Sequence, residues 1–282
     1  GPGWAWEDFD SYFSAEKSAF PIYGNVVTVK KVDSLKVFPE YYQERLLITK
    51  KGYGRKEHSN SFYFSRNRTH ETEIPMIISD SLLLNLFNDI TPNKVSIVKF
   101  STIKPTTIAY SIKRDSLFKR MMEVSDNFLA EQILLLASST LSDTLNSSKV
   151  RKHILENQLK GLQQKPRWVD GSGLSRYNLF TPISFVDVLR KLHKSIPEVN
   201  LFKFFPVGGK SGTLKKWFSG KPKPYVFAKS GTLGNNYNLS GYLKTRSGKT
   251  LIFSYMNNHF RHSNNEIKKE IQTALEFLRD KY

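Results

Sequence analysis

The stretch YVFAKSGTLGNNYNLSGYLKTRSGKTLIFSYMN, residues 225–257, decides the fold class of this chain. Its residues fall into three strand-like runs, which predict strands over Tyr225–Lys229, Asn238–Thr245 and Thr250–Asn257. Ser247-Gly248 provides a turn between the last two runs. Neighbouring strands joined by short turns pair antiparallel, so the stretch predicts a three-stranded antiparallel sheet.

Sequence patterns typical of helices come before and after these three strands in the chain. Residues 128–141 are apolar nearly all round and predict a buried helix, while residues 148–160 predict an amphipathic helix that ends at Gly161. Thr181-Pro182 is typical of a helix start, with an N-cap followed by proline at the first helical position. Ser263–Glu266 is a capping box that opens a terminal helix. Helices around an antiparallel sheet predict an α+β fold.

The sequence before residue 105 is dominated by patterns typical of strands, unlike the mixture of helix and strand patterns that follows. It contains short apolar runs that predict strands, with one possible short helix over Ser79–Phe87. The predicted strands are Asn25–Lys30, Arg45–Lys50, Ser61–Ser65 and Val95–Phe100, and a further strand over Thr107–Ile112 follows the change of character. We therefore predict a β-rich accessory segment over residues 1–104 and a second domain over residues 105–282.

The chain is strongly basic, and the charge is concentrated in the second predicted domain. The net charge is +18 over 282 residues, of which residues 105–282 contribute +16. Such a domain can present a solvated basic surface or bind an anionic polymer, including nucleic acid. No zinc finger, aromatic RNP motif or basic zipper accompanies the charge, so nucleic acid is not the expected partner. The absence of cysteine excludes disulfides and cysteine-based metal sites.

Two short motifs carry the chemical information. Ser125-Asp126-Asn127 stands between two predicted helices, where its members either cap a helix or project into a cleft. Lys229-Ser230-Gly231 stands in a predicted strand, where it is either a solvated edge or a binding surface with close backbone approach at the glycine. The pentapeptide KSGTL occurs twice, over Lys210–Leu214 and Lys229–Leu233. The first copy lies in a Gly/Lys-rich loop, which predicts a structural or substrate-facing role.

The two motifs together match a known catalytic set. Ser-x-x-Lys, Ser-Asp-Asn and Lys-Thr-Gly occur together in β-lactamases and penicillin-binding proteins. The flanking segments 121–132 (MMEVSDNFLAEQ), 169–182 (VDGSGLSRYNLFTP) and 228–243 (AKSGTLGNNYNLSGYL) resemble the class C low-molecular-mass penicillin-binding proteins, as does the N-terminal GWAWEDF. That family consists of D-alanyl-D-alanine carboxypeptidase/endopeptidases. The resemblance implies a penicillin-binding/β-lactamase-like transpeptidase domain with an inserted accessory segment.

The resemblance also implies roles for individual residues. Ser125 would relay a proton to the leaving amine, Asn127 would bind the substrate amide, and Lys229 would supply positive potential. The hydroxyls of Ser230 and Thr232 would bind the substrate carboxylate, with Gly231 between them, and the Thr232 N–H would join an oxyanion hole. Asp170–Gly173 would shape the cleft floor or simply form a turn. Peptidoglycan stem peptides and inhibitory β-lactams are the expected partners; no cofactor or metal is expected, and the oligomeric state stays open.

The nucleophile motif of the family, Ser-x-x-Lys, is not found at its expected place in this sequence. Ser-x-x-Lys strings occur at Ser14–Lys17, Ser101–Lys104 and Ser116–Lys119, none of them in the family's position before the inserted segment. We therefore expect the catalytic serine to precede Gly1, in a protein exported to the periplasm or cell envelope. The alternative is a non-catalytic relative, a pseudoenzyme that binds peptidoglycan or a partner protein.

Overall fold

The computed structural model describes residues 1–31, 33–98, 107 and 110–282. The chain divides into two compact units, Trp4–Ser111 and Gly1–Gly3 with Ile112–Tyr282. The first three residues belong to the larger unit because Gly3 O accepts the Arg176 N–H at 3.2 Å and Pro2 O accepts the Ser175 hydroxyl at 2.6 Å. The predicted boundary at residues 104–105 lies outside the described residues and stays a prediction. Within the described ranges, every helix is too short or too polar to span a lipid bilayer.

In its described residues, the unit Trp4–Ser111 contains two three-stranded sheets and one α-helix. Its strands are β1 (Val26–Lys31), β2 (Leu35–Phe38), β3 (Leu47–Thr49), β4 (Tyr53–Arg55), β5 (Phe62–Ser65) and β6 (Thr72–Pro75), followed by helix α1 (Asp80–Ile90). One sheet has the order β2-β1-β6 and is antiparallel; the other has the order β3-β5-β4, with β3 parallel to β5. Alternate strand residues and one face of α1 form a single core, whose buried members include Val27, Val29, Phe62, Phe64, Ile74, Leu82 and Leu86.

Three of the four strands predicted in the first segment are confirmed within one or two residues, and the predicted helix is confirmed but ends three residues later than expected, at Ile90. The strand predicted over Val95–Phe100 is wrong for its described part, because residues 95–98 belong to no strand. Val95 instead exchanges backbone hydrogen bonds with the side chain of Asn88, at 2.8 and 3.3 Å, which ties it to the end of α1. Of the strand predicted over Thr107–Ile112, the described residues are not in a strand, and Ile108 and Ala109 lie outside the described residues.

The larger unit begins with helices and ends with the predicted sheet and a terminal helix. Its helices are α2 (Arg114–Val124), α3 (Asn127–Ala137), α4 (Ser147–Glu156), α5 (Pro182–Ser195), α6 (Glu198–Leu201) and α7 (Asn264–Lys281). Its strands are β7 (Val226–Leu233), β8 (Asn236–Lys244) and β9 (Thr250–Asn258), paired antiparallel in the order β7-β8-β9. The α+β arrangement predicted from residues 225–257 and their flanks is therefore confirmed. One correction concerns α3, which is not buried all round, because Leu136 is 49% exposed.

Helices cover both faces of this sheet. Ile267, Ile271 and Leu275, one stripe of α7, pack against Val226 and Leu239 on one face. Each such fully buried side chain contributes about 2 kcal/mol through removal of apolar surface from water. The opposite face packs against α5 and the segment after α6, through Leu189, Leu201, Phe205 and Tyr242. Because both faces are held, the edge strand β7 is a rigid support for the residues that it carries.

Candidate active site

Each residue of the Ser-Asp-Asn motif has a different place at the junction between α2 and α3. Ser125 follows the last residue of α2 and adopts the left-handed conformation, with φ 59° and ψ 50°. Asp126 is the N-cap of α3, because its carboxylate accepts the Leu129 N–H at 3.0 Å. Asn127 is the first residue of α3 and is half-buried. The capping interpretation is thus confirmed for Asp126, and Ser125 is the left-handed C-cap of α2, whose N–H donates to Met121 O.

The Lys-Ser-Gly motif lies on β7, the edge strand of the sheet. The outer side of β7 is paired at its start, where Val226 O accepts the Gly208 N–H at 2.9 Å and the Ala228 N–H donates to Pro206 O at 3.1 Å. Backbone groups alternate sides along a strand, so Ser230 and Thr232 present their N–H and C=O groups on this same outer side. The strand continues past the pairing, and these two residues therefore offer backbone hydrogen bonds to a ligand.

The two motifs meet in a direct hydrogen bond. Lys229 Nζ donates to Ser125 Oγ at 2.7 Å and to the carbonyl oxygen of Ser230 at 2.6 Å. Ser125 and Lys229 are 104 residues apart in the sequence, and the helix junction and the edge strand bring them together. Burial lowers the pKa of Lys229 from 10.5 to about 8, because the surroundings disfavour its charged form. A lysine with a pKa near neutrality both attracts anions and exchanges protons with a hydroxyl neighbour.

The remaining predicted residues of β7 differ in surroundings. Ser230 Oγ donates to Thr213 Oγ1 at 2.8 Å, so a hydroxyl of the first KSGTL copy meets a hydroxyl of the second. Gly231 and Thr232 are exposed. A methyl group placed on Gly231 would have no heavy atom within 4 Å, so the space beside this residue is open to a ligand. The structure therefore groups Ser125, Lys229 and Ser230 by direct contacts, and places Gly231 and Thr232 next to them on the same strand.

Two buried carboxylates organise the loop over residues 170–175. Glu131, on α3, accepts hydrogen bonds from the N–H groups of Gly171 and Ser172 and from the Ser172 hydroxyl, all at 2.8 Å. Asp170 accepts the N–H groups of Gly173 at 2.9 Å and Ser175 at 2.6 Å. The loop is therefore locked onto the helix that carries Asn127. Its role as a cleft floor stays a prediction.

Sequence reasoning missed Glu131 as well as the contacts of the first KSGTL copy. A signal for Glu131 was present, because a carboxylate inside the apolar run NFLAEQILLLA requires buried partners. Gly171 also has a packing reason to be glycine, since a Cβ there would lie 2.5 Å from Ala130 O.

Of the three Ser-x-x-Lys strings, Ser116–Lys119 does not join the Ser125–Lys229 pair. Ser116 and Lys119 are exposed on α2, and Ser125 comes nine positions after Ser116, about 13 Å away along the helix axis. Ser14 is buried and belongs to the unit Trp4–Ser111, and Ser101–Lys104 lies outside the described residues. Among the described residues, no cluster of three or more His, Cys, Asp or Glu side chains is arranged to hold a metal ion.

Two curated proteins share sequence with this chain. The chain is 30% identical over 175 residues to D-alanyl-D-alanine carboxypeptidase DacB of Haemophilus influenzae, a match that covers 59% of the chain and 36% of that protein. It is 33% identical over 107 residues to penicillin-sensitive carboxypeptidase A of Dictyostelium discoideum, covering 35% of the chain and 20% of that protein. The chain thus spans only about a fifth to a third of the length of these curated relatives.

Solved structures share the fold. The crystal structure of penicillin binding protein 4 from Haemophilus influenzae superposes with a TM-score of 0.70 at 20% identity, over 99% of this chain and 70% of that one. The same protein complexed with a β-lactam gives a TM-score of 0.72 at 18% identity, over 95% and 71%. The predicted penicillin-binding fold is therefore confirmed. Since the model of the D-Ala-D-Ala carboxypeptidase 3 (S13) family matches residues 96–282, the chain belongs to that family.

Proposed function

We propose that this chain carries two of the three motif elements of a serine-type D-alanyl-D-alanine carboxypeptidase/endopeptidase that acts on peptidoglycan stem peptides through an acyl-enzyme. The observation that supports this most is the hydrogen bond between Lys229 Nζ and Ser125 Oγ, which joins the Ser-Asp-Asn and Lys-Ser-Gly motifs. Family membership of residues 96–282 supports the same chemistry. The third element, a serine and its paired lysine, would come from sequence outside this chain.

The proposed roles follow from the chemistry of each group. The serine would attack the carbonyl carbon of the D-Ala-D-Ala bond, forming an ester and releasing D-alanine or a peptide amine. Ser125, in contact with the ammonium group of Lys229, would pass a proton to that leaving amine. Asn127 would hydrogen-bond the substrate amide. Water would then hydrolyse the ester and regenerate the serine.

The edge of β7 would hold the substrate. The terminal carboxylate would lie near Lys229 and accept hydrogen bonds from the hydroxyls of Ser230 and Thr232. The outward N–H of Thr232 would stabilise the negative oxygen of the tetrahedral intermediate. The open space beside Gly231 would admit the substrate backbone. β-Lactams would occupy the same edge as inhibitors, and the protein would work in the periplasm or cell envelope, where peptidoglycan is found.

Peptide binding tests the proposal on the chain itself. We expect a peptide ending in D-Ala-D-Ala to shift the NMR signals of the Lys229 side chain and the Gly231 N–H, while the same peptide ending in L-Ala-L-Ala leaves them unchanged. Amidation of the terminal carboxylate should weaken binding, because it removes the charge that Lys229 and the two hydroxyls recognise. Equal shifts with both stereoisomers, or shifts confined to residues remote from β7, would contradict the proposal.

A further inference from the structure

The two KSGTL copies have the same sequence and different structures. The second copy, Lys229–Leu233, is extended within β7, whereas the first, Lys210–Leu214, turns sharply, with Gly212 at φ +56°. Gly212–Leu214 forms a single turn of 3-10 helix. Tertiary contacts rather than local preference therefore determine the shape of the first copy.

The first copy is attached to the end of α2. Ser211 Oγ donates to the Glu123 carboxylate at 2.9 Å and accepts the Val207 N–H at 3.2 Å. Gly212 lies against the Glu123 carbonyl, since a Cβ there would be 2.5 Å from that oxygen. Glu123 precedes Ser125 by two residues, so these contacts fix the last turn of the helix from which Ser125 projects.

The same copy is attached to β7. Thr213 Oγ1 accepts a hydrogen bond from Ser230 Oγ at 2.8 Å, beside the lysine of the second copy. Leu214 is fully buried in the core beneath β7, where Val226 and Ala228 are also fully buried. Just upstream, Pro206 O accepts the Ala228 N–H on the outer side of the strand. The loop therefore touches both elements that the Ser125–Lys229 hydrogen bond joins.

We infer that the loop Lys210–Leu214 positions the Ser125–Lys229 pair, with Ser211 holding the helix side and Thr213 holding the strand side. The catalytic roles of Ser125 and Lys229 rest on the proposed function. The contacts by which the loop joins the end of α2 to β7 do not. The loop spans the gap with short polar side chains at distances that admit no intervening water. Loss of either attachment lets the helix end move away from β7, and a displacement of about 1 Å is large for a catalytic hydrogen bond.

The protonation of Lys229 reports this positioning without any substrate. The lysine has a low pKa because it is buried between the helix junction and β7. If the helix end moves, water reaches the ammonium group, and the pKa rises toward its ordinary value. A residue that only stabilises the fold would lower the unfolding midpoint and leave this pKa unchanged.

The test is an NMR titration of the 282-residue chain with isotope-labelled lysine, in which the Lys229 signal is assigned by its loss in Lys229→Arg. We expect Ser211→Ala to raise the pKa of Lys229 by about one unit. The backbone at Ser211 is extended, a conformation that threonine readily adopts. Ser211→Thr therefore keeps the hydroxyl and should restore the low pKa of Lys229. Ser195→Ala is the matched control, because it removes a serine hydroxyl that donates to Lys191 O, at 2.9 Å, within α5 and its C-terminal end.

A second pair of variants, at Thr213, ensures that a folding defect caused by one substitution cannot by itself explain a change in the pKa of Lys229. Thr213→Val should also raise the pKa of Lys229, and Thr213→Ser should leave it low. An unchanged pKa in both Ser211→Ala and Thr213→Val, with the fold intact, would overturn the positioning role. If the pKa responds as expected but the chain discriminates no D-Ala-D-Ala peptide, the proposed function fails and the positioning role stands.

Discussion

Replacement of Lys229 by methionine tests how strongly burial of the charged lysine opposes folding. Methionine keeps the length and apolar stem of the side chain and removes the charge. The pKa of Lys229 falls from 10.5 to about 8 on folding, so burial of the charged form opposes folding by about 3 kcal/mol at neutral pH. Between these two values the unfolded chain binds more protons than the folded one, so stability rises with pH across this window.

The assay is urea unfolding of wild type and Lys229→Met between pH 7 and pH 9.5. Below about pH 8 the opposing free energy is fully present, and about 2 kcal/mol of it is relieved by about pH 9.5. Stability of wild type relative to Lys229→Met should therefore increase by about 2 kcal/mol across this range. The comparison cancels titrations that both proteins share. A stability difference between wild type and Lys229→Met that does not vary with pH would refute the lowered pKa of the buried lysine.

Three further predictions concern glycine, a helix cap and a buried carboxylate. Gly231→Ala should leave the unfolding free energy within about 0.5 kcal/mol of wild type yet weaken D-Ala-D-Ala peptide binding at least tenfold, because the new methyl group occupies the substrate's space. In the matched variant Gly241→Ala, the methyl group would lie 2.5 Å from Ala228 Cα, so urea unfolding should show a loss of about 2 kcal/mol or more; equal stabilities of the two variants would contradict this. Asp126→Ala should lower stability by about 1 kcal/mol and Asp126→Asn by much less, since asparagine still caps α3; a loss of similar size in both would show that the charge, not the cap, matters. Glu131→Ala should lower stability by about 3 kcal/mol and speed amide exchange at Gly171 and Ser172, and unchanged exchange there would argue against the loop anchor.

Patterns with a local cause were read correctly from the sequence. Thr181 and Ser263 cap α5 and α7 as predicted, because their side chains accept the N–H groups of Ser184 and Glu266. The strand-like runs and the Ser247-Gly248 turn in residues 225–257 predicted the sheet, whose two faces are buried against helices. The motif-bearing segments predicted the family, which the family model confirms.

Features that depend on distant residues were not predictable in this way. Identical KSGTL copies take different conformations, since one pairs with β8 and the other turns against Glu123. The run VSIVKF has the composition of a strand, but the side chain of Asn88 takes the backbone groups of Val95. The contact between Thr213 and Ser230 likewise depends on the path of the loop. Such contacts follow from the assembled fold and have no local sequence signal.

Reaction of the 282-residue chain with a fluorescent penicillin, followed by mass spectrometry of its peptides, tests whether this chain contains the nucleophile. We expect no covalent label on this chain, because the serine that Ser125 and Lys229 are proposed to assist would come from sequence outside it. A longer protein that includes the family's Ser-x-x-Lys segment should be labelled at that serine, and Lys229→Ala should slow the labelling. A penicillin adduct on any serine of this chain would show that the chain contains a nucleophile of its own and would contradict the proposed division of the active site.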